Sequence, residues 1–204
     1  MTQTASAKMG VRGLTHLLYL SLGLSWGSET YANGNVSDPW VMMAKPGHVV
    51  LMRHTLAPGT GDPENFDLSD CASQRNLSQA GRNQAQQTGE KLRAKGYSDA
   101  RVITSQWCRC KETAQLLALG EPEQLASLNS FFQNWEMKQE ATNKTKAWIA
   151  KELKTKADGE VILLVTHQVN ITALTGHFPR SGEMVVSQQK PNGDLRHVAS
   201  IDPR

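Results

Sequence analysis

The sequence predicts a three-layer α/β/α fold on a mostly parallel sheet, with a β-hairpin at its C-terminal end. Three features carry that expectation. Residues 49–52 and 161–165 are short, wholly apolar runs, as expected of strands buried on both faces. Segments of helical character stand between such runs, and strands that alternate with helices imply parallel pairing under helical layers. Finally, Pro191-Asn192-Gly193 separates two β-prone runs, and Asn-Gly is a strong hairpin signal.

Taken in order, residues 49–52 form the first strand, and a long polar stretch rich in Gly, Pro and Asp follows over 55–76. A loop of that length is more often functional than incidental. Ser78 has the character of a helix N-cap, and Gly96 marks the end of that helix. Within it Gly81, Ala85, Thr88, Gly89 and Leu92 recur at three- and four-residue spacing, a small-residue face suited to close packing on a sheet. Residues 101–105 read as a strand, 109–119 as a helix, and 125–132 as extended or irregular chain. The segment 142–156 is an amphipathic helix, with Ala147, Ile149, Ala150 and Leu153 expected toward the core. The strand 161–165 leads into a short helix ending at Leu174, and 183–188 with 194–201 form the hairpin. One domain accommodates all of this within 204 residues.

The first part of the chain differs in character. Lys8 and Arg12 precede an apolar run over 14–24, and Thr30-Tyr31-Ala32 offers small side chains at a cleavage site. That three-part layout is expected of a signal peptide over 1–32, followed by an extension over 33–47 and the main domain over 48–204. The run falls short of the roughly 20 apolar residues that span a bilayer. The expected location is therefore periplasmic or secreted, with no stable membrane insertion after cleavage. Cleavage leaves 20 basic and 18 acidic residues, a net of +2. Those charges are interleaved rather than gathered on one stretch, so no nucleic-acid partner is expected. In an oxidising compartment one disulfide plus one thiol is the natural use of Cys71, Cys108 and Cys110. Cys108 and Cys110, two apart, point to different faces of a helix and bridge poorly, so a link from Cys71 to one of them is the better expectation.

Chemistry concentrates where strands end. The first strand runs into Arg53-His54, the second into Ser105-Gln106-Trp107-Cys108-Arg109, and the last parallel one into Thr166-His167-Gln168. Open α/β sheets bind ligands at those carboxyl ends. Two imidazoles and two guanidinium groups on one rim suit an anion, above all a phosphoryl group whose oxygens gather charge during transfer. His48, His177 and His197 end no buried strand and are read as structural.

These segments resemble the histidine phosphatase, or phosphoglycerate mutase-like, superfamily. The resemblance rests on Leu51-Met52-Arg53-His54, on Asn76 through Arg82, on Ser105 through Arg109 to Thr113-Ala114, and on Val165-Thr166-His167. It implies a phosphoric monoester hydrolase in which His54 is the nucleophile of a phosphohistidine intermediate. Arg53, Arg109 and His167 would hold the phosphoryl oxygens, and no metal or cofactor is required. Neutral His54 is needed for attack, so its other ring nitrogen should donate to a backbone carbonyl. By the same resemblance Asn76 reaches the phosphate, with Arg75 a further basic candidate. Thr55 stands where glycine is usual and would bulk the pocket floor. Gln168 stands where one branch carries an acidic proton donor. Glu136 is the candidate donor by analogy with the other branch, with Glu140, Asp62 and Glu64 as rivals. The partner expected is a small phosphorylated substrate.

Other chemistries fit less well. A cysteine phosphatase needs Cys and Arg six positions apart, but Leu77 and Ala114 stand six after Cys71 and Cys108. Paired metal-binding cysteines and a Walker loop are both missing. A binding module without turnover and a phosphomutase are the alternatives on the same fold.

Overall fold

The computed structural model describes residues 1–3 and 38–202, and the fold set out here is that of 38–202. Apart from its first three residues, the expected signal peptide lies outside the described residues, as does the start of the extension.

Six strands form one sheet in the order β3-β2-β4-β1-β5-β6. They are β1 (His48–Arg53), β2 (Arg101–Thr104), β3 (Glu123–Gln124), β4 (Ile162–Thr166), β5 (Met184–Gln189) and β6 (Leu195–Ile201). The first four in space are parallel, and β5 and β6 run antiparallel at the β1 side. Side chains alternate along each strand and so supply two cores. Val50, Met52, Leu163 and Val165 join one, with Leu92, Cys110 and Ala114 from the helices α2 (Gln79–Ala94) and α3 (Cys108–Leu116). Val49, Leu51, Ile162 and Leu164 join the other, with Ile149 of α4 (Lys138–Glu152) and Ile171 and Leu174 of α5 (Gln168–Thr175). Hence the three layers.

Before β1, the short helix α1 (Pro39–Met42) is capped by the Asp38 side chain and leads to the fully buried Met43. The Lys156 ammonium fastens this segment by donating to the carbonyls of Lys45 and His48, at 3.0 and 2.9 Å.

The α2 helix begins at Ser78, whose hydroxyl accepts from the Gly81 amide, and buries the small-residue face expected of it. Its two glycines meet backbone rather than the sheet. A Cβ on Gly81 would lie 2.1 Å from the Leu56 carbonyl oxygen, and one on Gly89 would lie 2.0 Å from that of Leu117. The helix α4 corrects an expectation. It starts at Lys138, and its buried face is Thr142, Thr145 and Ile149, while Ala147 is exposed. Spacings of three and four keep those residues on one face, and Thr145 satisfies its hydroxyl on the Ser127 carbonyl at 3.0 Å.

The hairpin closes through Lys190 to Asp194, with Gly193 at φ +84° in the turn. A bulge interrupts its ladder between Val186 and Ser187. Among the described residues no helix is long and apolar enough to cross a membrane.

Candidate active site

Strand pairing places the two imidazoles side by side. In the parallel β1–β4 ladder Arg53 pairs with Thr166, and the His54 amide donates to the Thr166 carbonyl at 2.9 Å. His54 and His167, the next residues, bring their rings edge to face at 5.5 Å between centroids. On the far side of β4, the Ser105 amide donates to the Val165 carbonyl, which sets the start of α3 beside His167. The strand order reverses here, with β4 inserted between β1 and β2, so the site sits at a topological switch point.

Both rings are buried, His54 at 2% exposure and His167 at 3%. His54 Nδ1 lies 2.8 Å from the Thr55 carbonyl oxygen. A carbonyl only accepts, so the proton sits on Nδ1 and Nε2 keeps its lone pair. His167 has the opposite tautomer. Arg109 Nη2 can only donate, so Nδ1 accepts at 3.4 Å, and Nε2–H faces the Ser105 hydroxyl at 3.0 Å. Burial, and then the nearby Arg109 charge, hold both imidazoles well below the usual histidine range. Trp107 packs edge-on against His167 at 5.3 Å.

Arg109 lies against Asp62 in a two-pronged ion pair, Nη1–Oδ1 2.7 Å and Nη2–Oδ2 3.1 Å, with side chains 3% and 2% exposed. Asp62 also accepts from the Trp107 indole at 3.0 Å and the Arg75 amide at 3.1 Å. Burial raises its pKa, but the Arg109, Arg75 and Trp107 donors outweigh that and hold it below the ordinary carboxylate value. Arg75 braces the same loop by donating to the carbonyls of Gly61 and Ala57. Arg53 donates to the Pro179 carbonyl at 3.1 Å. The Nε–H groups of Arg53 and Arg109 are buried without a hydrogen-bond partner. The guanidinium groups line a cavity of about 370 Å³, and their charge suits an anion.

The loop over 55–77 forms one wall of that cavity through Gly59, Thr60 and Gly61. It is fastened by the Cys71–Cys108 disulfide and by Gln74, which donates to the Asp67 carbonyl and accepts from the Cys108 amide. Of the two partners open to Cys71, then, Cys108 takes the bridge. Cys110 is a buried free thiol, its pKa pushed up to about 12 by desolvation.

The structure brings Arg53, His54, Arg109 and His167 together, with Arg75 and Gln168. It does not bring Asn76, whose amide donates to the Cys71 and Gln74 carbonyls and so anchors the loop. Glu136 stands exposed on a single 3₁₀ turn, Trp135–Met137, outside the cavity lining. Glu140 pairs with Lys144 at the surface, and Glu64 is exposed. Asp62 is in the cavity but committed to Arg109. Thr55 does not bulk the floor: fully buried, it turns its hydroxyl to Thr113 of α3 at 3.1 Å. His177 pairs with Glu183 outside the cavity, at 2.6 Å. The ion pair of Asp62, the packing of Trp107 on His167 and the placement of Phe132 and Phe178 at the cavity are features of the candidate site that the sequence did not show. Only Trp107, inside the Ser105–Arg109 segment, carried a local signal. Among the described residues no group of three His, Cys, Asp or Glu side chains is placed to hold a metal ion.

Fold and cavity together define an α/β protein with two neutral imidazoles and three guanidinium groups lining one cavity at the ends of parallel strands. The chain belongs to the histidine phosphatase superfamily (branch 1), whose family model matches residues 49–157, over half its length. No curated protein matches the sequence. Solved phosphatases share the fold. The protein histidine phosphatase SixA, complexed with tungstate, is similar at 15% identity and TM-score 0.53, over 76% of this chain and 97% of its own. A mycobacterial glucosyl-3-phosphoglycerate phosphatase complexed with VO3 is similar at 14% identity and TM-score 0.54, over 73% and 95%. A phosphoserine phosphatase mutant from Entamoeba histolytica, complexed with phosphoserine, is similar at 13% and 0.50, over 77% and 98%.

Proposed function

We propose that the protein hydrolyses small phosphate monoesters through a phosphohistidine on His54, without metal. The observation that carries this is the tautomer of His54: with Nδ1–H fixed on the Thr55 carbonyl, Nε2 is an unprotonated nucleophile in a cavity lined by Arg53, Arg75 and Arg109. As the N–P bond forms, positive charge develops on the ring, and the Thr55 carbonyl stabilises it through Nδ1–H. The guanidinium groups take the equatorial oxygens, where charge collects. His167 stands beside this anion site, its Nδ1 turned to the Arg109 guanidinium and so helping to hold that group in place. Water then attacks phosphorus and releases a proton to solvent, and the N–P electron pair returns to Nε2. Tungstate and VO3, held by two proteins of the same fold, are oxyanions of the kind this cavity suits.

Export is part of the proposal, with residues 1–32 as a cleaved leader and a periplasmic or secreted enzyme as the product. The Cys71–Cys108 bridge supports it, because such bonds persist in oxidising compartments.

The test is turnover of p-nitrophenyl phosphate in excess chelator by the native protein and by His54→Ala. The native rate should be unchanged by chelation, and the variant should lose at least about 10³-fold, a typical scale for a covalent nucleophile. Full turnover by the variant contradicts the assignment, and chelator-sensitive turnover restored by metal points to another mechanism.

A further inference from the structure

The same cavity also bears on what the phosphoryl group is attached to, an inference that rests on the hydrolytic reading above. Its only carboxylate among the described lining residues is Asp62. That group accepts from both Arg109 terminal nitrogens, from the Trp107 indole and from the Arg75 amide. A proton on Asp62 breaks this arrangement and leaves the Arg109 charge buried without its partner, so Asp62 is not placed to protonate a departing oxygen. Glu136, Glu140 and Glu64 lie outside the cavity lining. Beyond the cations the wall changes character. Phe132 and Phe178, 40% and 67% exposed, stand at it with Val169, and Thr60, Ser130 and Gln168 add neutral polar groups. Large apolar side chains left in water beside a polar site mark a surface that a ligand covers. Phe132 is held against Gly61, whose missing Cβ would sit 3.8 Å from its ring edge.

We propose that the substrates are aryl phosphate monoesters, with the flat departing group against Phe132 and Phe178 and no acid needed to release it. In the first step the Nε2 lone pair forms the N–P bond while the P–O bond breaks. Its electron pair stays on the departing oxygen as an aryloxide, which takes a proton from water afterwards. A phenol has a pKa of about 10, whereas an aliphatic alcohol is a far weaker acid, comparable with water. Without a proton donor that difference falls almost wholly on the alkyl ester. Aromatic rings stack face-offset or edge-on against phenylalanine, which adds recognition where the cavity has no charge to offer.

The experiment measures kcat/KM of the full, disulfide-bonded chain on substituted phenyl phosphates of graded leaving-group pKa, on glycerol phosphate, and on phosphoramidate. We expect kcat/KM to fall steadily as leaving-group pKa rises, with phenyl phosphates at least 100-fold above glycerol phosphate. Phe132→Ala and Phe178→Ala, both at exposed positions, should each shrink the preference for phenyl phosphate over phosphoramidate at least fivefold. Glycerol phosphate turned over as fast as the phenyl esters, or a preference untouched in both variants, overturns the proposal while leaving hydrolysis at His54 in place. Failure of every compound, phosphoramidate included, overturns the hydrolytic reading and this inference together.

Discussion

The charge state of single groups decides whether this site can react. His54 and His167 are neutral because burial and the Arg109 charge both penalise a proton on the ring. NMR titration of the ring protons should find both rings unprotonated through pH 6.5, with their transitions well below it. An ordinary transition near 6.5 in His54 contradicts the account. Stability follows with a definite sign. The unfolded chain takes protons on these rings near pH 6.5 and the folded one does not, so acid favours unfolding below that pH. Asp62 is the second decisive residue. Asp62→Ala leaves a 3%-exposed guanidinium without its carboxylate, and breaking such a buried pair costs about 3–5 kcal/mol. Urea unfolding should show that loss, together with a fall in kcat/KM as Arg109 loses its orientation. Under 1 kcal/mol, roughly the worth of an exposed pair, is the result that denies Asp62 its positioning role. None of this was legible from Asp62 itself: it is one of several acids in a polar loop, and only the folded path of that loop brings it to Arg109. Arg53-His54 and His167 were legible because each directly follows an apolar strand.

Elements are positioned here by close backbone contact as much as by side-chain packing. Gly89 is the sharpest case. Alanine in a helix interior is favoured over glycine by up to about 1 kcal/mol, but at Gly89 its methyl would fall 2.0 Å from a backbone oxygen. Overpacking of that kind costs about 1–3 kcal/mol, so steric conflict wins and Gly89→Ala should lower the denaturant midpoint. A midpoint equal to or above the native value contradicts the contact. The small-residue face was readable from spacing. Its true neighbours, Leu56 and Leu117, were not, because periodicity reports which face is buried and not against what. The α4 helix shows the same limit from the other side: threonines at 142 and 145 count as polar in a pattern, yet Thr145 is buried with its hydroxyl bonded to Ser127. The loop over 55–77 was recognisable as unusual by length and composition. Its disulfide was narrowed to Cys71 with one of two partners, and the geometry at the start of α3 selects Cys108.

For the molecule as a whole, sheet order does most of the work. Inserting β4 between β1 and β2 sets two imidazoles and the start of α3 side by side at one rim. Alternation of strands and helices made the layers legible, and the Asn-Gly turn made the hairpin legible. The placement of the proton-donor candidates was not legible, because the fold sends Glu136 and Glu140 to the surface and only Asp62 into the cavity. The central claim is that phosphorus becomes bonded to His54 during turnover. It is tested most directly by quenching the native protein in base during steady-state hydrolysis and recording ³¹P NMR and peptide masses. The account predicts an acid-labile, base-stable phosphoryl group on the peptide that contains His54; phosphate released with no phosphorylated histidine, or with the label on another residue, would contradict it.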